Sequence, residues 1–170
     1  WLDKNKTSSY ELYQYLINLE DSMIIDYLKK LTFLSKEAIE KIEVRHNENP
    51  HLREAHKRLA KEIITDLHGE LEYDKAVRMS QALFTGEFKD LTKKEIEEIF
   101  VGYNKISVDS GLNIIDLLIN MGIASSKREA REFVSSNAIS INGEKISDLL
   151  YNISDNDFLH GKYIIVRRGK

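Results

Sequence analysis

The stretch Leu117-Leu118-Ile119-Asn120-Met121-Gly122-Ile123-Ala124-Ser125-Ser126-Lys127-Arg128-Glu129-Ala130-Arg131-Glu132-Phe133-Val134 is followed closely by Ile139-Ser140-Ile141-Asn142-Gly143-Glu144-Lys145-Ile146. Its apolar residues recur at helical spacing on either side of Gly122, which predicts two short helices over residues 113–121 and 126–136. The second run then changes period. Asn142-Gly143 sits between β-branched residues, the strongest short signal for a hairpin with a tight two-residue turn. Further on, Tyr163-Ile164-Ile165-Val166 reads as another strand. The last third of the chain is therefore expected to be a small α+β unit.

The second of these helices separates its charges from its apolar groups. At about 100° per residue, Arg131 lies about 40° and Arg128 about 100° from Lys127. Phe133, Ala130 and Val134 fall at about 240°, about 300° and about 340° on the same wheel. Such a helix can dock on a core with Phe133 and Val134 and turn Lys127, Arg128 and Arg131 outward. Ser126 opens it, so free amides and the positive end of the dipole add to that face. A phosphate backbone would find several donors there. A plain solvated face accounts for the same spacing, and Glu129 and Glu132 dilute the cations.

Upstream, the first hundred residues are helical in pattern and contain the single proline, Pro50. Ser8-Ser9-Tyr10-Glu11 and Thr92-Lys93-Lys94-Glu95 are capping-box patterns that start helices. Asp21 or Ser22 can cap a second helix and Ser35 a third. Pro50 suits the first turn of a fourth, carrying Leu52, Ala55, Leu59 and Ile63 and stopping at Gly69. A fifth runs over Ala76, Val77, Met79 and Leu83 to about Gly86. Residues 101–111 are rich in turn formers and suggest a junction, giving a helical domain over 1–105 and a second domain over 106–170. The expected fold class is a mainly α helical bundle followed by a small α+β domain.

Composition narrows the function classes. With 170 residues, 42% hydrophobic and 31% charged, the chain can bury a core without staples. It contains no cysteine, which excludes disulfides and thiolate metal sites. No apolar run approaches the roughly 20 residues of a membrane helix, so no membrane partner is expected, and a cytoplasmic location fits. The net charge of −3 gives no support to a nucleic-acid binder, but clustering matters more than the total. His51 and His56 lie five apart, about 140° around one helix. They cannot share a metal, and no metal site is expected. Trp1 stands where an initiator Met would, so the chain reads as a fragment.

The run Gly122-Ile123-Ala124, then Ser126-Lys127-Arg128-Glu129-Ala130-Arg131, then Ile141-Asn142-Gly143, resembles the S-four-type RNA-binding module over about 106–170. Two positions depart from that pattern. Glu132 replaces a frequent second arginine, which weakens the patch. Asn137 replaces a frequent glycine at the helix end, which asparagine tolerates. The earlier residues Trp1-Leu2-Asp3, Lys6–Tyr15, Tyr27–Ser35, Ala55–Glu62 and His68-Gly69 resemble bacterial tyrosyl-tRNA synthetases just after their ATP-binding signature loop.

The resemblance implies a helical anticodon-binding domain followed by an S-four-like domain. Its partner would be tRNA(Tyr), recognised through the anticodon stem and variable arm. Neither the His-Ile-Gly-His-like nor the Lys-Met-Ser-Lys-Ser-like catalytic signature occurs in the sequence. ATP with magnesium therefore belongs to a full-length tyrosine–tRNA ligase, and the fragment is expected to lack catalytic residues, cofactor and activity of its own. Its other expected partner is the missing N-terminal catalytic domain. The family dimerises mainly through that half, so a homodimeric parent and a monomeric fragment are expected. Family members also usually continue past this end with a further basic strand.

By resemblance, Asp21 reads the first anticodon base, a guanosine, whose imino and amino hydrogens a carboxylate can accept. Helix capping explains the same residue, and the two roles are compatible. Ser126, Lys127, Arg128, Arg131, Asn142 and Lys145 are the phosphate and base-edge candidates in the small module. Arg167, Arg168 and Lys170 form a second basic cluster, for which solubility is the plainer explanation. Tyr10, Tyr13 and Tyr15 can stack on bases or pack against protein. Two other functions fit parts of the pattern: a generic structured-RNA or ribosome-binding protein, and a helical protein-interaction module.

Overall fold

The computed structural model describes residues 1–169. Its contacts divide the chain into two compact units, Trp1–Gln81 and Ala82–Lys170. The sequence placed the junction about residue 105. Residues 84–99 fall in the second unit because they are bonded to it. Phe84 gives its carbonyl to Arg167 at 3.1 Å, and Lys89 pairs with Glu144. The Leu91 carbonyl takes a 2.7 Å hydrogen bond from His160 Nε2.

The first unit is helical: α1 (Ser9–Ile17), α2 (Asp21–Leu31), α3 (Lys36–Glu48), α4 (Glu54–His68) and α5 (Glu70–Thr85), whose last residues belong to the second unit. The Ser8 capping box forms as expected, with Ser8 Oγ accepting from the Glu11 amide and Glu11 Oε2 from the Ser8 amide. Ser35 caps α3 through the Ala38 amide. Helix α4 packs against α1, α2 and α3. Its Leu59, Ala60 and Ile64 are fully buried among Leu12, Leu16, Ile24, Leu28 and Ile39. An apolar face of this kind, rather than helix propensity, supplies most of such a helix's stability.

Two local expectations fail here. Pro50 begins a separate 3-10 turn, Pro50–Leu52, not the long helix. Arg53 then takes a left-handed conformation with φ 54°, and α4 starts at Glu54. His51 and His56 consequently lie on different elements. Asp21 is the first residue of α2 rather than its cap. The cap position is Glu20, whose side chain makes no capping hydrogen bond.

The second unit contains α6 (Lys93–Ile99), α7 (Ile114–Asn120), α8 (Lys127–Ser135) and the strands β1 (Ile139–Ile141), β2 (Glu144–Ile146) and β3 (Val166–Arg168). The sheet order is β2-β1-β3, antiparallel throughout, with Ile139 opposite Ile146 and Arg168, and Ser140 opposite Lys145 and Arg167. Leu117, Leu118, Ala130, Val134, Ile139, Ile141 and Ile153 form its core.

Helix α8 ends in a Schellman arrangement. Asn137 is left-handed at φ 56°, and the amides of Asn137 and Ala138 bond back to Val134 and Phe133. The hairpin turn also forms as read, with Asn142 at φ 50° and Gly143 at φ 91°.

The last strand lies further on than its apolar pattern predicts. Leu159 and Tyr163 close a tight loop through His160 and Gly161, both at positive φ. Ile165 exchanges backbone and side-chain hydrogen bonds with Asn142. Regular pairing therefore begins only at Val166 and carries Arg167 and Arg168 into the sheet. Among the described residues, no helix is long and apolar enough to cross a membrane.

Candidate nucleic-acid interface

The N-terminus of α8 is capped by Ser126, whose hydroxyl oxygen accepts from the Glu129 amide at 3.2 Å. Glu129 folds back so that its carboxylate accepts from the Ser125 amide at 2.7 Å and the Ser125 hydroxyl at 2.6 Å. These bonds hold the Glu129 carboxyl below its ordinary range. The helix end is thus partly supplied with its own anion, and fewer free amides are left for a phosphate than the sequence suggested.

The cationic arc itself forms. Lys127, Arg128 and Arg131 are all exposed, while Ala130 and Val134 on the opposite side are fully buried. Lys127 Nζ pairs with Asp116 on α7 at 2.9 Å. Arg128 and Arg131 have no hydrogen-bond or ion-pair partner among the described residues. An exposed pair such as Lys127–Asp116 holds a side chain only weakly. The arc can therefore give up that contact to a phosphate at little cost.

The remaining candidates part company. Lys145 is exposed on β2 and donates to the Asn137 carbonyl at 2.9 Å, beside the C-terminal end of α8. Arg168 stacks on the Phe133 ring of α8, its guanidinium carbon 3.9 Å from the ring centre. Arg167, one residue away on the strand, turns to the other face and reaches Phe84. The expected C-terminal cluster is thus split by the alternation of β3, and Lys170 lies outside the described residues.

Asn142 is turned into the protein. It is 8% exposed, its side-chain amide donates to the Asp157 carbonyl at 2.6 Å, and its Oδ1 accepts from the Ile165 amide at 2.9 Å. With both ends of its carboxamide engaged internally, Asn142 holds the turn in place.

In the first unit Asp21 occupies a setting that the sequence did not disclose. Its Oδ1 lies 3.3 Å from Arg53 Nη1, 3.4 Å from His46 Nε2 and 3.6 Å from His56 Nε2. The two histidines are 3% and 0% exposed, with ring centres 5.4 Å apart. Arg53 Nη1 also donates to the Leu19 carbonyl at 3.3 Å and lies 3.0 Å from His56 Nε2. The Nδ1 atoms of both rings have no hydrogen-bond partner among the described residues. The Nε2–H tautomer therefore gives His56 its bond to the Leu19 carbonyl, 3.0 Å away.

Asp21, His46 and His56 bring their ligand atoms within 4.8 Å of one another, a grouping compatible with a metal ion. The members of this set are distant in the chain, and their spacing carries no metal-site signal of the kind His51 and His56 were tested for. Arg53 already places a positive charge among them, and the His56 Nε2 hydrogen is committed to a carbonyl. Those two features favour an internal ion-pair network over a cation site.

Burial, the largest cause, holds His56 below the ordinary 6.5. The unfolded chain therefore binds more protons than the folded one as pH falls through that region. The contribution to stability is fully present above 6.5 and lost on acidification. Urea midpoints are expected to fall between about pH 7 and about pH 5. His56→Gln, which keeps a donor for the Leu19 carbonyl, is expected to flatten that fall.

The family described as tRNA synthetases class I (W and Y) matches residues 1–85, and the one described as Tyrosine--tRNA ligase SYY-like C-terminal domain matches residues 95–170. The chain belongs to the class I tRNA synthetases. Relatives of this synthetase chain include the tyrosine–tRNA ligase of Staphylococcus carnosus, 48% identical over 171 residues, and that of Streptococcus agalactiae serotype Ia, 46% identical over 172. Both alignments take in 100% of this chain, which spans 41% of the length of each relative. Among solved structures, a C-terminally truncated Aspergillus nidulans mitochondrial tyrosyl-tRNA synthetase is 39% identical over 49% of this chain and 23% of its own, with a TM-score of 0.47.

The tyrosines of the synthetase chain divide by burial. Tyr10 and Tyr13 are 6% and 4% exposed and pack within the protein, whereas Tyr15 is exposed. Of the three, only Tyr15 is open to a base or a neighbouring domain.

Proposed function

We propose that this chain recognises tRNA(Tyr) as the RNA-binding portion of a tyrosine–tRNA ligase, its second unit gripping the backbone and its first reading the anticodon. The carrying observation is the exposed arc of Lys127, Arg128 and Arg131 on a helix whose other face is fully buried. Arginine forks and a lysine point charge suit phosphate oxygens. Lys145 extends the arc at the far end of α8. Arg168 is adjacent through Phe133 and can stack on a base or pair with a phosphate. Asp21 is the base-edge reader in the helical unit, and variable-arm contacts belong to the α8 face.

In this reading the ligation of tyrosine to tRNA, with ATP and magnesium, is the work of the full-length enzyme, and this chain alone is inactive. The enzyme is cytoplasmic and homodimeric, and the isolated chain is a monomer.

A filter-binding titration tests the proposal. tRNA(Tyr) is expected to bind more tightly than other tRNAs, with log affinity falling against log salt by roughly 0.7 to 0.9 per phosphate contact. Arg131→Ala is expected to reduce that slope by about one contact's worth. Equal affinity for all tRNAs would remove the specificity, and tighter binding to ribosomal RNA fragments would favour a generic structured-RNA binder.

A further inference from the structure

The strongest feature outside the α8 face is the Asp21 cluster, which goes beyond simple exposure of a carboxylate. Among the described residues, Arg53, His46 and His56 all meet Asp21 at Oδ1. Oδ2 has no partner among the described residues, and the side chain is 56% exposed. One oxygen is anchored and the other is presented to solvent.

The anchor is built into the backbone. Arg53 is a non-glycine residue at φ 54°, a conformation a long side chain seldom adopts without compensation. Its guanidinium spans the Leu19 carbonyl, just before α2, and Asp21 in the first turn of α2. His56, in the first turn of α4, is fully buried and bonds to the same carbonyl. His46, from α3, closes the third side. The loop before α2 and the junction before α4 are therefore tied together at the one carboxylate.

We propose that Arg53 is a positioning residue for base reading, holding Asp21 Oδ1 so that Oδ2 faces the Watson–Crick edge of a guanine. The inference rests on Asp21 being the base reader. A free aspartate samples several rotamers, and holding it in one lowers the cost of each contact with the base. Guanine is the base that suits this acceptor, since it offers two adjacent N–H donors. Adenine presents a ring nitrogen acceptor in place of the imino donor and meets the carboxylate with repulsion. His46 and His56 limit the directions the carboxylate can take, and Arg53 keeps it oriented.

The test compares binding of two tRNA(Tyr) transcripts, with guanosine or adenosine as the first anticodon base, to the chain and to three variants. Arg53→Asn keeps a residue that tolerates positive φ but cannot reach Asp21. Arg53→Lys keeps the charge on a shorter reach, and Asp21→Asn removes the acceptor. The expected result is that Asp21→Asn and Arg53→Asn each reduce the preference for guanosine about tenfold, while Arg53→Lys recovers part of it. The salt slope, set by the α8 cations, is expected to stay unchanged in all three, a pattern that general loosening of the fold would not give.

Circular dichroism and urea midpoints establish that each variant is folded. If Asp21→Asn removes the preference and folded Arg53→Asn keeps it, the positioning role is overturned and the base reader stands. If Asp21→Asn also keeps the preference, the reading of Asp21 falls and the positioning role falls with it.

Discussion

Arg128→Glu and Arg131→Glu together are expected to weaken tRNA binding by on the order of a hundredfold at moderate salt, with the fold intact. Both side chains are exposed and have no partner among the described residues. Their replacement therefore leaves no buried group unsatisfied and costs little stability. Each substitution removes a cation and installs an anion in an arc already flanked by Glu129 and Glu132. The loss should shrink as salt rises, because the wild-type interaction is screened and its counterion release diminished. Titrations at two salt concentrations check this. An unchanged affinity at low salt would place the RNA elsewhere on the molecule. Lys127→Ala is expected to have a smaller effect, since Lys127 already shares its charge with Asp116.

Gly143→Ala is expected to be the most damaging small substitution in the second unit, costing on the order of 2–4 kcal/mol. Two independent reasons converge. The hairpin turn needs φ 91° at this position, which a Cβ disfavours. In addition, an added Cβ would run into the Gly86 backbone, at the carbonyl carbon and oxygen, rather than into a flexible side chain. Backbone cannot move aside without shifting the segment that links α5 to α6. A urea unfolding curve with a lower midpoint and an unchanged slope would check it. A change of less than about 0.5 kcal/mol would show that this contact is not maintained in solution.

The helical elements were largely legible in the sequence because their signals are local. The Ser8, Ser35 and Thr92 caps, the α4 apolar face through Leu59, the Asn142-Gly143 turn and the Asn137 helix end each depend on residues within a turn or two of one another. Local geometry decides where such groups can find partners, so their signals can be read along the chain. The outward placement of Lys127, Arg128 and Arg131 follows from the same helical period once the core side is known.

What escaped the sequence was set by contacts between distant residues. Arg53 is left-handed beside a proline that looked like the start of a helix, and its compensation comes from Leu19 and Asp21. The Asp21, His46 and His56 grouping draws on three helices, so no spacing rule could foresee it. Asn142 stood among the phosphate and base-edge candidates, yet hydrogen bonds with Asp157 and Ile165 engage its carboxamide. Arg167 and Arg168 looked like one cluster until the register of β3 placed them on opposite faces. The sequence by itself determined the helices, the turn and the charge of α8, since those depend on neighbours along the chain. Only the tertiary structure decided which polar groups remain free for a ligand, because hydrogen-bond partners are allotted by proximity in space.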